Sequence, residues 1–215
     1  MASVEAFARA LTDRMIRYFD LPEERRDVLA FGIIYVFLYL LDAIGLLIAC
    51  LISGVPGLTL MTAFTSMFFR SLTGGAHLSS PWWCSLFSFT LLALFGVLAA
   101  FLGEMIGRRA AVGFIAVVGV CAAVAIWLYA PVDSPAKPIP TPQKRQLRKA
   151  AWLLWTVWVV WEGFLVARGY LAAALASALG LMLQTASLTP GEARLLRWID
   201  QRLTVSGNPM REVSQ

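Results

Sequence analysis

Apolar runs separated by short polar stretches occupy residues 28–53, 57–69, 85–103, 110–130, 150–167 and 169–188. Five of them hold about the 20 residues that an α-helix needs to cross roughly 30 Å of hydrocarbon. The run at 57–69 is shorter and fits either a tilted span in a thinned bilayer or a re-entrant helix. The pattern predicts an all-α, polytopic integral membrane protein: six transmembrane helices, or five plus one re-entrant helix, in one domain over residues 1–215. Both ends read differently. At about 100° per residue, Val4, Phe7, Ala8, Leu11, Met15, Tyr18 and Phe19 share one face of a helix, with Glu5, Arg9, Asp13, Arg17 and Asp20 opposite. In the tail at 189–215, Thr189-Pro190-Gly191-Glu192 reads as a capping box with Pro at the first helical position. Behind it Leu195, Leu196, Ile199 and Leu203 fall on one side. An amphipathic helix is expected at each end, lying on the membrane surface or on the protein's own loops.

Composition agrees with this pattern. Of 215 residues, 59% are apolar and 14% charged, against about 45–50% and 25% in soluble domains. A soluble single-core globule and a disordered chain are both excluded. Three cysteines, Cys50, Cys84 and Cys121, lie in or beside apolar runs, and an odd count argues against a disulfide framework. The net charge of +5 does not point to nucleic acid, because the basic residues fall between spans, where they orient the chain in a lipid bilayer. With a cytoplasmic N-terminus and six crossings, only Arg108, Arg109 and Arg168 of the 18 Lys and Arg residues lie outside. Without the 57–69 crossing, the basic 137–149 loop would be external, which argues for six. Both termini and the 70–84 loop are then cytoplasmic. Residues 1–27 carry eleven charges of both signs and no apolar run, as expected of a surface segment rather than a secretory leader.

Candidate chemistry gathers in the 70–84 loop. The one histidine of the chain, His77, precedes Cys84 by seven residues. On an unbroken helix these positions lie about 10.5 Å apart along the axis, too far for a hydrogen bond. Gly74-Gly75 loosens the backbone, however, and Pro81 cannot sit inside a helix. Ser80-Pro81 makes a good cap and first turn, which places Cys84 at the start of a helix running to about residue 103. A loop over 77–80 can fold the imidazole back onto the sulfur. Only the thiolate is nucleophilic, and a helix N-terminus with a neighbouring imidazolium favours it. Burial in lipid would oppose ionisation, so such a site belongs at the membrane–water boundary. The plain alternative is an interfacial histidine and a cysteine that packs as a small hydrophobe. One His and one nearby Cys are too few ligands for zinc, so neither a metal nor another cofactor is expected.

Arg70, Gly74-Gly75-Ala76-His77 and Pro81-Trp82-Trp83-Cys84 resemble the signature of the accessory gene regulator B (AgrB) family, membrane cysteine endopeptidases that process quorum-sensing peptide precursors in bacteria. Tyr129-Ala130-Pro131-Val132-Asp133 through Lys137-Pro138-Ile139 resembles that family's loop after the fourth span. The resemblance implies Cys84 as nucleophile and His77 as general base, in the bacterial cytoplasmic membrane with the site facing the cytoplasm. It also implies a short precursor peptide with an acidic C-terminal tail as substrate. Cleavage would pass through an acyl-thioester on Cys84, and a Cys or Ser of the substrate would then close a thiolactone or lactone. Trp82, Trp83 and lipid are expected to exclude water from that step.

Other residues have two readings each. Arg70 can bind a carboxylate or an oxyanion, or simply snorkel at a span end. Gly75 belongs to the break before His77. Lys137, with Lys144, Arg145, Arg148 and Lys149, can attract an acidic tail or only set topology. Asp133 either caps a turn in the proline-rich 131–149 loop or orients the site. Asp42 and Glu162 lie within predicted spans, where an unpaired charge is costly. Asp42 is a candidate to orient His77 or bind substrate, with an interhelical hydrogen bond as the alternative. Trp152, Trp155, Trp158 and Trp161 recur at spacing three as an aromatic packing surface. Ala172, Ala176 and Gly180 form a small-residue face for close helix contact, within the chain or in a homodimer. Two rival functions remain at this point. One is a small peptide or ion transporter using Asp42 and Glu162; the other is a non-catalytic membrane scaffold.

Overall fold

The computed structural model describes residues 2–19, 22, 25–75, 78, 80–132 and 140–205. Among them are eight helices and no strand: α1 (Ala2–Phe19), α2 (Arg26–Ser53), α3 (Pro56–Thr73), α4 (Pro81–Met105), α5 (Arg108–Tyr129), α6 (Thr141–Ala167), α7 (Leu171–Ser187) and α8 (Pro190–Val205). The protein is all-α and polytopic, and each apolar run of the sequence is a helix. By length and composition α2, α4, α5 and α6 can each cross a membrane alone, and α7 with α8 passes the same test as a pair bent by 77°. α3 does not reach that hydropathy, because Thr59, Thr62, Thr65 and Ser66 interrupt its apolar residues. All four are buried against other helices.

The chain divides into two compact units, residues 1–48 and 49–215. In the first, Asp13 of α1 pairs with Arg26 at the start of α2 at 2.6 Å. Phe7, Leu11 and Tyr18 of the apolar face of α1 are exposed while Thr12 is buried. Along α2, Phe31, Tyr35 and Tyr39 stack at i, i+4 spacing with centroids 4.4 and 6.3 Å apart.

The second unit is organised around α7, which packs on α3, α4 and α5. Its residues are small, so neighbouring backbones approach closely. The Gly180 Cα faces the Thr62 backbone, and Ala172 lies against Gly103 of α4. Thr62 Oγ1 donates to the Ala176 carbonyl at 3.1 Å. The small-residue face read from the sequence is thus occupied within the chain. One apolar cluster joins Phe69, Ile126, Trp158, Leu165 and Leu181, and a second joins Ala99, Ala111, Leu175 and Leu179.

The tryptophans of α6 follow from their spacing. Three residues turn a helix by about −60°, so the three steps from Trp152 to Trp161 sweep about half its circumference. Trp155 donates to the Gly119 carbonyl at 3.0 Å and Trp158 to Ser177 Oγ at 2.9 Å. Trp161, half a turn round, is exposed and stacks on Phe164.

Candidate active site

α4 begins at Pro81 with Ser80 in extended conformation at the cap position, although the Ser80 hydroxyl makes no capping bond. The Cys84 N–H donates to the Ser80 carbonyl at 3.0 Å, the first rung of the helical ladder. The N–H groups of Trp82 and Trp83 precede that rung and point out of the helix start. Cys84, half-buried, therefore sits one turn into α4, at the positive end of its dipole. Both indoles are about half exposed, at 49% and 48%, so any cover they give the sulfur needs a further layer such as lipid.

The end of α3 is fixed from three directions. Within α3 itself, the Gly74 N–H caps the Arg70 carbonyl at 2.9 Å and the Thr73 hydroxyl donates to the Phe69 carbonyl at 2.8 Å. From the loop after α5, the Val132 N–H donates to the Thr73 carbonyl at 2.9 Å. From α7, the Gln184 amide nitrogen donates to the Gly74 carbonyl at 2.6 Å and to Thr73 Oγ1 at 3.0 Å. The two glycines make this possible. Gly74 has φ +69°, and a Cβ there would lie 2.8 Å from the Val132 carbonyl oxygen. Gly75 has φ +152°, and a Cβ there would lie 2.6 Å from Ser187 Oγ and 3.6 Å from an Arg70 guanidinium nitrogen. The two sequence motifs, 70–84 and 129–139, thus meet at the Thr73–Val132 hydrogen bond. Arg148 holds the same loop by donating to the Ala130 carbonyl at 2.8 Å.

Arg70 provides the charge at this junction. Its guanidinium interacts electrostatically with both Cys84 and Glu192. Burial lowers its proton affinity, while Cys84 and Glu192 act to restore it. Burial likewise pushes the Glu192 carboxyl up from the usual carboxylate range, against the pull of Arg70. Half of the expected capping box is present: Thr189 Oγ1 accepts the Glu192 N–H at 3.3 Å. The Thr189 N–H instead donates to the Ala186 carbonyl. The charge of Glu192 works on Arg70.

Of the site residues read from the sequence, Arg70, Gly75 and Cys84 come together here. His77, Asp133 and Lys137 lie outside the described residues. Asp42 is on the exposed side of α2 in the first unit. Glu162 is buried in α6 of the second. Gln184, Ser187 and Glu192 were missed. Gln184 did carry a signal, as a carboxamide within the apolar run 169–188.

With the geometry in place, the comparison with known proteins is specific. The family model described as accessory gene regulator B matches residues 8–188. The chain belongs to that family. Its members serve accessory gene regulator quorum sensing, and as a polytopic membrane protein this member fits them. An AgrB-like protein 2 of Clostridium perfringens (strain 13 / Type A) is 25% identical over 163 residues, 74% of this chain and 75% of its own. An AgrB-like protein of Halalkalibacterium halodurans is 26% identical over 192 residues, 89% of each chain. No solved structure matches. The matched span contains the whole Arg70–Cys84 segment and Gln184, and stops short of Glu192.

Proposed function

We propose that this family member is a membrane cysteine endopeptidase that cleaves a short precursor peptide and closes its product into a ring. The observation that carries this reading is the position of Cys84, one turn into α4 with the guanidinium of Arg70 acting on it. A helix N-terminus and a cation together favour the thiolate, the form that attacks carbonyls. His77, seven residues upstream, is the general base that takes the thiol proton.

The thiolate adds to a backbone carbonyl of the substrate. The oxyanion that forms is stabilised by the Trp82 and Trp83 N–H groups and by Arg70. The peptide C–N bond then breaks, the imidazolium of His77 protonates the leaving amine, and the C-terminal tail departs. The N-terminal part stays on Cys84 as a thioester. A thiol or hydroxyl within that part gives its proton to His77, attacks the thioester carbonyl and expels the Cys84 thiolate, leaving a thiolactone or lactone. Exchange of one thioester for another is nearly neutral in free energy, so the ring forms only if water is kept from the thioester. The lipid around the half-exposed indoles serves that purpose. The site faces the cytoplasm, where Lys137 and the basic cluster from Lys144 to Lys149 attract the acidic tail of the precursor.

The test is co-expression with a candidate precursor from a neighbouring reading frame, wild type beside Cys84→Ala, with the peptides read by mass spectrometry. Cyclic product from the wild type alone is expected. Equal processing by Cys84→Ala would end the reading, and linear product from the wild type would end its ring-closing half.

A further inference from the structure

The short segment Thr73-Gly74-Gly75 leads from the helix that carries Arg70 towards the helix that carries Cys84, and one side chain from a distant part of the sequence holds it. Gln184 lies in the last turn of α7, 1% exposed. Its orientation follows from chemistry. The Gly74 carbonyl can only accept, and the Thr73 hydroxyl proton is already given to the Phe69 carbonyl, so both positions require a donor. The Gln184 amide nitrogen supplies it to both, at 2.6 and 3.0 Å. Its Oε1 is therefore turned away from the segment, and that atom is buried with no hydrogen-bond partner among the described residues.

A buried acceptor without a partner destabilises a fold, and a methionine or leucine of similar volume would avoid that cost. A carboxamide at this place has its use in the two bonds of its nitrogen. Those bonds act on the site through Arg70. The Gly74 N–H is bonded to the Arg70 carbonyl, and the Arg70 guanidinium passes beside Gly75. The path of the segment and the position of the cation are thereby tied together.

We propose that Gln184 is a positioning residue of the site, which clamps Thr73 and Gly74 so that the Arg70 guanidinium keeps its place beside Gly75, at the end of α3. The proposal rests on the reading of Cys84 as the nucleophile. It predicts that Gln184 governs the reactivity of Cys84 through Arg70.

The experiment measures alkylation of Cys84 against pH in the full chain in native membranes, without peptide, with labelling at Cys84 counted by peptide mass mapping. Gln184→Met keeps the volume and removes the donor. It is expected to raise the pH midpoint of alkylation by about one unit, a roughly tenfold slower reaction near neutrality. Gln184→Glu keeps the shape, cannot donate when ionised, and regains one O–H donor when protonated. Below both midpoints its rate relative to wild type is expected to recover as pH falls, while that of Gln184→Met stays at about a tenth. Arg70→Ala should erase the difference between Gln184→Met and wild type. Wild-type alkylation profiles for both Gln184 variants would overturn the clamp, as would equal pH dependence of the two variants relative to wild type. Failure of the endopeptidase reading would show elsewhere, as continued peptide processing by Cys84→Ala.

Discussion

Two buried polar places lie along α7, seven residues apart and so on the same face, and they differ in what surrounds them. At Ser177, the hydroxyl accepts from Trp158 Nε1 at 2.9 Å and from Thr65 Oγ1 at 3.2 Å. The Glu162 carboxylate is buried beside that hydroxyl, which remains free to donate its proton to it. At Gln184, one turn from the end of the helix, the partners are the Gly74 carbonyl and the Thr73 hydroxyl, and a cation that interacts with a carboxylate and a thiol lies at the same helix end. The first place sits in the middle of α7 and α6, where hydroxyls, an indole and one carboxyl meet. The second lies at helix ends, where unsatisfied backbone groups, dipoles and charges gather. The lesson is that a buried polar group in this bundle has chemistry within reach only where helices end. In mid-bundle it serves to pack and to fix register.

The largest expected break in this comparison is Cys84→Ala, which should lower peptide processing at least about a thousandfold, measured as product per unit of membrane protein. At the other place, Glu162→Gln should leave processing within a few-fold of wild type and leave thermal stability unchanged or higher, because it replaces a buried ionisable group by a neutral one of the same shape. Loss of processing on that change would restore Glu162 as a functional group. Arg70→Ala should cost about 10- to 100-fold in processing and raise the pH midpoint of Cys84 alkylation, and Arg70→Lys should recover only part of it, since a point charge replaces a planar fork.

Gly75→Ala should lower both stability and activity, by about 1–3 kcal/mol in thermal unfolding. Its new methyl meets Ser187 Oγ and its φ of +152° suits glycine. Adding Ser187→Ala should return part of the loss, and a strictly additive double variant would show that Ser187 is not the obstacle. The smallest expected effect is that of Glu192→Gln, a few-fold change in Cys84 alkylation near neutral pH. Burial raises the Glu192 carboxyl, so this group picks up its proton at a higher pH than an ordinary carboxylate as the solution is acidified. Wild type and Glu192→Gln should therefore converge on the acid side and separate as pH rises.

Much of the fold was legible because hydrophobic runs report helices directly, and all six runs are helices that end close to the expected bounds, except that α6 begins at Thr141, well before the run at 150–167. Crossing was harder to read for 57–69. The threonines and serine of α3 lower its hydropathy, and they are buried against the protein rather than exposed to lipid. The site was legible where it is local in sequence: Arg70, the two glycines, the helix start at Pro81 and Cys84 fall within fifteen residues. Gln184 lies 110 residues from Gly74, and no periodicity or spacing in one sequence joins such positions. Glu192 was readable as a helix cap, which its backbone satisfies. That its charge serves Arg70 depends on the 77° bend between α7 and α8, which the pattern of apolar residues does not encode.

The most direct test of the central claim is to trap the acyl-enzyme. Membranes holding the full chain and a precursor peptide would be quenched in acid, digested and mapped by mass spectrometry for a peptide adduct on Cys84. The account expects the N-terminal part of the precursor bound there through a bond that neutral hydroxylamine cleaves, with Cys50 and Cys121 unmodified. Efficient release of the C-terminal tail with no adduct on Cys84 under any quench, and the same release from Cys84→Ala, would contradict it.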